Sequence, residues 1–598
     1  MAQVIADRRD IDFVLYEQLE ADQIGKHPRF DGLNRKAFDL MINEARTFAI
    51  KEILPTYADG DREGVRFDGG KVAVASCFHR AYRLFKEGEW MAMTKPVEVG
   101  GQGLPHILAQ AASEYFIGAN YAFATYMILA SGSGKMIELF GTPMQKRLFL
   151  KNLYTGKWGG TMLLTESQAG SDVGNLSTSA RKNPDGTYTI TGNKIFITNG
   201  EQDITENIVH PVLARIEGAP KGTKGISLFI VPKIWVNEDG SLGQPNDVVC
   251  TGVEEKMGIH ASPTCSMALG SKGQCRGLLL GEENKGMEIM FHMMNEVRLE
   301  VGTQGFCHAT TAYLHALNYA RERCQGRDLA AGKDADAPQV PIINHPDVRR
   351  MLLWMKAHVD GMRSLIYYVA FLFDRLHTAT DEQESARLDK RIGLMTPVVK
   401  AYCSERGFDV CVQAMQVFGG YGYTREYPVE QIVRDCKIAS IYEGTDGIQA
   451  MDLLGRKLGM DKGAVFAELV ADITRTAYRA MAIEGLEDLA QRVAKAAKTL
   501  ATTADGLGKM IGSERFKLPF VFALPFLEAM GDVFMAWMLL WRATIAAPKA
   551  AGSAFYAGQV KTAGFFIRAV LPITMGKLEA IRIGDDAALA IEDKAFGG

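Results

Sequence analysis

The sequence predicts a mainly α-helical protein with one β domain set into it and a further helical domain appended at the C-terminal end. Three observations carry that expectation. From about Asn34 to Gly160, apolar residues recur at helical spacing, as in Phe38, Met41, Ile42 and Ala45. The composition then shifts to turn signals and period-two alternation. After Gly286 the helical period returns, and beyond Gly459 it continues in an Ala-rich amphipathic block.

Residues 1–160 are expected to form a helical domain, because helix-compatible residues fill the stretches between glycine turns. In residues 161–285, Asn183-Pro184-Asp185-Gly186 is a turn signal and Thr187-Tyr188-Thr189-Ile190 alternates. There too, Gly225-Ile226-Ser227-Leu228-Phe229-Ile230-Val231 runs as a strand to Pro232. Residues 286–457 are helical through Arg298, Arg323, Arg349 and Met362, with one polar loop from Asp328 to Gln339. Residues 458–598 make the appended domain, with breaks expected near Asp505-Gly506, Pro519, Pro525 and Ala547-Pro548. No repeat of fixed period and no low-complexity tract interrupts this order.

The 598 residues leave room for roughly four domain-sized units. A net charge of −3 and a pI near 6.5 ask for neither nucleic acid nor an anionic membrane. Nine cysteines without a single C-x-x-C pair argue against a disulfide framework or a zinc site and favour a reducing compartment, the cytoplasm. Arg8, Arg9 and Asp10 precede any apolar run, so no signal or transit peptide is expected. The most apolar stretch, Phe516 to Trp541, is broken by Lys517, Glu528 and Asp532 and is expected to be a buried helix, with no integral membrane segment.

The chemistry concentrates between Cys411 and Asp452. The Gly419-Gly420-x-Gly422 turn lets backbone approach a pyrophosphate without Cβ obstruction, and Glu443-Gly444-Thr445 presents a carboxylate where the chain enters a helix. With Gln416, Tyr427-Pro428-Val429-Glu430, Arg434-Asp435 and Ile441-Tyr442, the whole run resembles the acyl-CoA dehydrogenase family. The resemblance implies that family's fold: a helical N-terminal domain, a central β-barrel and a four-helix bundle, matched here through about residue 457. The segment beyond resembles the extra helical domain of larger members, which implies a homodimer. FAD is the implied cofactor and an electron-transfer flavoprotein the implied electron acceptor.

By the same resemblance, Glu443 is the base that takes the α proton of a thioester, its pKa raised by an apolar pocket. The thioester carbonyl is expected between the Glu443 N–H and a hydroxyl of the flavin's ribityl chain. A minority of the family places its glutamate directly before an arginine of the first bundle helix; here that position is Val297, before Arg298, and Glu296 stands one residue too early. Met162-Leu163-Leu164-Thr165-Glu166-Ser167-Gln168-Ala169-Gly170-Ser171-Asp172 resembles the family's T-E-P-x-A-G-S-D loop, with Ser167 in place of the proline. Its backbone at Met162 and Leu164 and its hydroxyls at Thr165 and Ser171 are implied flavin contacts, Ser171 also reaching the substrate. Lys194 to Gly200 resembles the family's W-I-T-N-G strand: Phe196 replaces the tryptophan and keeps an aromatic face for the flavin, beside Ile197 and Thr198. Arg323 and Gln325 resemble the pair that reaches a neighbouring subunit's flavin diphosphate, suited to a guanidinium. Gln416, Gly419, Gly420, Thr445 and Gly447 complete the implied cofactor set, while Asn295, Arg298 and Gly444 are implied substrate contacts.

Ser131-Gly132-Ser133-Gly134-Lys135 imitates a phosphate loop, but Leu129 and Met136 occupy positions that need glycine and Ser/Thr, so a helix junction is expected instead. Cys307-His308 and His345 lack partners at metal-ligand spacing. The insertion after Asn199-Gly200, with Lys256 to Cys265, is most similar to large bacterial members, including those acting on 3-(methylthio)propionyl-CoA; others of that group take fatty acyl-CoAs. Side chains from Tyr121 to Met127 and near Gly420-Tyr421 are expected to set the depth of the acyl pocket. Two alternatives stay open: an acyl-CoA oxidase, using the same base and flavin, and a non-catalytic relative that binds nucleic acid. Against the latter, residues 456–598 hold 18 basic and 15 acidic side chains, which is no strong patch.

Overall fold

The computed structural model describes residues 3–332 and 334–597. It divides into two compact units, one of residues 39–300 and one made of the chain up to Phe38 together with everything from Val301 onward.

The first unit begins with helices α1 (Arg35–Phe48, entered from Asp39), α2 (Thr56–Glu63), α3 (Ser76–Glu87), α4 (His106–Ala119), α5 (Tyr121–Phe140) and α6 (Pro143–Tyr154). On α3 the residues Phe78, Ala81, Tyr82 and Phe85 recur at helical spacing and are all buried. Their rings meet those of α4 and α5 edge to face, Phe85 with Phe116 at 5.0 Å and Phe78 with Phe123 at 5.6 Å. Helix α6 starts on a capping box in which Thr142 and Gln145 satisfy each other's backbone N–H groups, with Pro143 in the first turn. Ser131 to Lys135 lie inside α5, not at the helix junction expected of them. Gly134 serves packing instead: a Cβ there would fall 2.4 Å from the Tyr154 ring on α6.

An eight-stranded sheet follows, built from β1 (Gly159–Gly160), β2 (Ser179–Lys182), β3 (Tyr188–Thr198), β4 (Ile208–Ile216), β5 (Ile226–Pro232), β6 (Val248–Val253), β7 (Thr264–Leu269) and β8 (Arg276–Leu280). Its path is β6-β7-β3-β8-β5-β4-β1. Strand β2 lies off that path and joins β3 antiparallel and β4 parallel, so the pairings of β2, β3, β8, β5 and β4 run in a circuit. Where the family resemblance implied a barrel, this mixed sheet is what the strand pairing describes. Ala180, Ile190, Val212, Phe229, Val231 and Leu269 form its apolar core. The turn at Asn183 to Gly186 closes the β2–β3 hairpin, with Gly186 at φ 81°.

In the second unit the long helices are α7 (Gly286–Glu322, entered from Val301), α8 (Pro346–Thr378) and α9 (Glu382–Phe418), followed by the short α10 (Val429–Cys436) and α11 (Asp446–Asp452). Helices α7 and α9 touch backbone to backbone, since a Cβ on Gly305 would lie 2.4 Å from the Cys403 carbonyl oxygen. The expected polar loop is framed by a small hairpin, Cys324–Arg327 with Gln339–Pro341. The appended segment folds as α12 (Ala464–Met481), α13 (Glu487–Ile511), α14 (Ala523–Ala546), α15 (Ala554–Phe565) and α16 (Leu571–Ile583). No break occurs at Asp505-Gly506, which lie inside α13, because a mid-helix glycine costs only about 1 kcal/mol and the packed face outweighs it. Helix α14 is predominantly apolar because most of it is covered; 83% of its most apolar window is buried.

A network of charged side chains joins these helices to the start of the chain. Asp10, on the short helix Arg8–Asp12, is paired with Arg363 of α8 at 2.5 Å and with Arg542 of α14, all three buried. Arg542 also donates to Gln559 of α15 at 2.9 Å and to Ser364 at 2.9 Å, while Lys356 holds Asp360 at 2.7 Å. Burial alone would raise the Asp10 carboxyl; the two guanidinium groups outweigh it and hold the group far below the ordinary carboxylate range.

Candidate active site

The first unit supplies the loop after β1. Residues 161–163 continue beside β4, with Thr161 and Leu163 donating backbone N–H groups to Val209 and Pro211 at 3.2 and 2.9 Å. Beyond Leu163 the chain leaves the sheet and turns on the pair Glu166 and Ala169, whose N–H and C=O groups bond reciprocally. This leaves Met162, Leu164 and Thr165 half-buried and Ser171 exposed. Glu166, quoted above only as part of the motif, is the loop's anchor. Its buried carboxylate accepts from the N–H and hydroxyl of Ser177, the N–H and hydroxyl of Thr178, and Gln168, at 2.6–3.0 Å. Lys194, fully buried on β3, donates to the same carboxylate at 2.9 Å and to the Leu164 carbonyl at 3.0 Å. Burial pushes the Glu166 carboxyl up, but Lys194 and the hydroxyl and amide donors dominate and hold it well below the usual range. Burial brings the Lys194 ammonium down to about 8 against the pull of Glu166.

The far end of β3 carries the second set. The register with β7 slips between Cys265 and Met267, so three steps of β3 oppose two of β7. That bulge puts Phe196 at φ 59° and turns its ring outward, 59% exposed, between buried Lys194 and Ile197. Thr198 is half-buried, and Asn199, at φ 56°, donates to Thr125 and accepts from Ser262. Asn295 is half-buried and Arg298 buried on α7, and Glu296 faces Lys95 at 4.0 Å. Replacing Glu166 by alanine is expected to strand Lys194 and release the loop, at a cost of about 3–5 kcal/mol. The check is urea denaturation together with limited proteolysis at 166–178; an unchanged midpoint contradicts the anchoring role.

The second unit supplies the cassette around Glu443. Gln416 lies in the last turn of α9, and its carbonyl accepts from the N–H of Gly419, which leaves the helix at φ 62°. A Cβ on Gly419 or Gly420 would meet nothing within 4 Å, so this backbone is open to an approaching group. Arg323 and Gln325 stand on the exposed hairpin start, with the Arg323 guanidinium 5.8 Å from the Tyr421 ring. Glu443 and Gly444 form a left-handed turn, φ 54° and 84°, ahead of α11. Thr445 caps that helix, accepting from the Ile448 N–H at 3.2 Å, and Gly447 is exposed in its first turn. Buried Asp446 pairs with fully buried Lys400 at 3.0 Å; burial pushes the aspartate up to about 7, offset only in part by that lysine. Residues 162–198 and 416–447 thus each arrive as a shaped surface on their own unit. Sequence patterns missed the supports, Glu166 with Lys194 and Lys400 with Asp446, because their partners stand far apart in the chain.

Four family models cover nearly the whole sequence: the acyl-CoA dehydrogenase N-terminal domain over residues 37–157, the middle domain over 161–271, the C-terminal domain over 284–458, and an acetyl-CoA dehydrogenase C-terminal-like domain over 466–592. A 3-methylmercaptopropionyl-CoA dehydrogenase from Ruegeria pomeroyi is 38% identical, over 94% of this chain and 95% of its own length. The chain belongs to the acyl-CoA dehydrogenase family. The broad-specificity linear acyl-CoA dehydrogenase FadE5 of Mycobacterium tuberculosis is 35% identical to this family member, over 98% of the chain and 99% of the relative. For the fold, the crystal structure of an acyl-CoA dehydrogenase complexed with FAD from Bacillus anthracis matches with a TM-score of 0.75 at 24% identity, covering 94% of this chain and 89% of that one. Both full-length relatives and the structure extend over the appended helical segment, which is therefore part of the family architecture of this chain.

Proposed function

We infer that this family member removes the hydrogens at C2 and C3 of an acyl-CoA thioester, giving the trans-2-enoyl-CoA, with FAD as cofactor. The observation that carries the reading is the Glu443 turn, a carboxylate on left-handed backbone immediately before a capped helix, inside the segment matched by the family's C-terminal domain. Glu443 takes the C2 proton at its carboxylate, and its own N–H is the donor assigned to the thioester carbonyl, where negative charge gathers. The chemistry supplied by bound FAD is acceptance of the C3 hydrogen as hydride. The residues present fit that group: open backbone at Gly419 and Gly420 and the Arg323 guanidinium suit a diphosphate, while the outward Phe196 ring with Thr165, Ser171, Ile197 and Thr198 suits a planar ring system with polar edges. Met162, Leu164, Gln416, Thr445 and Gly447 are assigned to FAD, Gln325 with Arg323 to the diphosphate of a neighbouring subunit's flavin, and Ser171, Asn295, Arg298 and Gly444 to the substrate.

The acyl group we propose is 3-(methylthio)propionyl or a linear fatty acyl chain, supported by the two full-length relatives. Electrons pass on to an electron-transfer flavoprotein. We place the protein in the cytoplasm, consistent with nine free thiols, and in a homodimer, for which the exposed hairpin with Leu329 and the 85% exposed Tyr423 offer surface. The test is anaerobic titration of the flavin-loaded protein with 3-(methylthio)propionyl-CoA and with linear acyl-CoAs of graded length. Bleaching of the flavin's visible band by one class is the expected result, and silence towards every thioester refutes the reading.

A further inference from the structure

Two successive residues with positive φ, one of them a glutamate, do not hold themselves in place. A left-handed glutamate costs on the order of 1–2 kcal/mol, so its surroundings must impose it. Gln449, on the face of α11 turned towards the Glu443-Gly444 turn, is fully buried. Its Nε2 donates to the Glu443 carbonyl at 3.3 Å and to the Gly444 carbonyl at 3.2 Å. A Cβ on Gly444 would lie 2.6 Å from that same nitrogen, so the amide sits directly against the turn and would have to move for any larger residue there. The orientation is dictated by charge, because a reversed amide would set its oxygen against two carbonyl oxygens. The helix bearing Gln449 is itself tethered through Asp446 to Lys400, and upstream Tyr442 donates its hydroxyl to Gln304 of α7 at 2.5 Å.

We propose that Gln449 is a positioning residue for proton abstraction: its amide clamps the two carbonyls of the Glu443-Gly444 turn and so sets the direction of the Glu443 carboxylate and N–H. The inference rests on Glu443 being the base. Gln449 makes no contact with the reacting atoms in this role. It acts through the backbone that carries them, where a displacement of about 1 Å can cost about 100-fold in rate.

The test uses the flavin-loaded full chain in three variants, Gln449→Leu, Gln449→Glu and Glu443→Gln, with kcat, KM, flavin content and melting temperature measured from pH 6 to 8. Gln449→Leu is expected to lower kcat by about 100-fold while KM changes by less than about threefold and flavin content is kept. Gln449→Glu gives a sharper signature. Its carboxylate is repelled by the two carbonyls, but its protonated form can donate one hydrogen bond, so its kcat should recover as pH falls, whereas the parent enzyme, which needs an ionised Glu443, should not gain. Parental kcat in Gln449→Leu, or a loss matched by lost flavin or by unfolding, overturns the positioning role while a silent Glu443→Gln leaves the base in place. Turnover surviving in Glu443→Gln overturns the base assignment and this inference with it.

Discussion

Replacing Glu443 by glutamine is expected to lower kcat by roughly 10⁴-fold, while the protein keeps its flavin and still binds acyl-CoA. Glutamine conserves the size of the side chain and its hydrogen bonding but has no basic oxygen able to accept the C2 proton. That rate corresponds to about 5.4 kcal/mol of transition-state stabilisation, more than a displaced hydrogen bond accounts for. The other acid weighed from the sequence, Glu296, faces Lys95 at 4.0 Å, so its carboxylate already has a cationic neighbour. Stopped-flow mixing with the acyl-CoA that bleaches the parent enzyme measures the effect directly. Bleaching at the parental rate would end the assignment. Loss of colour before mixing would instead place Glu443 among the groups that retain the flavin.

The second large effect concerns stability. Asp10→Asn should destabilise the second unit by about 3–5 kcal/mol, because asparagine keeps the shape of the site and leaves Arg363 and Arg542 buried beside a neutral partner. Asp360, whose carboxylate oxygen lies 3.9 Å from Arg542, is already engaged by Lys356 and cannot neutralise both guanidinium groups. The pH dependence follows from the direction of the shift. The Asp10 pKa is lowered in the folded chain, so its contribution is complete above the unfolded value of about 3.9 and disappears as pH falls through the folded one. Parent and variant should therefore differ most at neutral pH and converge in strong acid. Urea denaturation at pH 7 and at successively lower pH measures this, and identical midpoints at pH 7 would show that the network contributes nothing net. Asp10 also ties the first helix of the chain to α8, α14 and α15, so an N-terminal truncation beyond it should carry the same penalty.

Much of this architecture was legible in the residues because its signals are local. The apolar face Phe78, Ala81, Tyr82 and Phe85 repeats within three turns, the turn at Asn183 to Gly186 announces a hairpin, and the cassette from Gly419 to Thr445 presents its glycines and carboxylate in one short run. Membership of the acyl-CoA dehydrogenase family was readable for the same reason. Two local signals misled. Gly506 and the glycines of Ser131 to Lys135 read as breaks, yet burial of the flanking helix faces outweighs the roughly 1 kcal/mol that a mid-helix glycine costs.

The sequence by itself determined the order of helices and strands, the Glu443 cassette and the Thr165–Asp172 motif, because periodicity, turn chemistry and short motifs are properties of neighbouring residues. Only the tertiary structure decided which distant groups hold them: Lys194 reaches back 28 residues to Glu166, Lys400 reaches 46 to Asp446, and Arg542 reaches 532 to Asp10. The left-handed backbone at Glu443 and the outward turn of Phe196 belong to the same class. A buried charge needs a partner wherever the fold can bring one, and a strained backbone needs a clamp from whatever packs beneath it; neither requirement leaves a mark on adjacent residues.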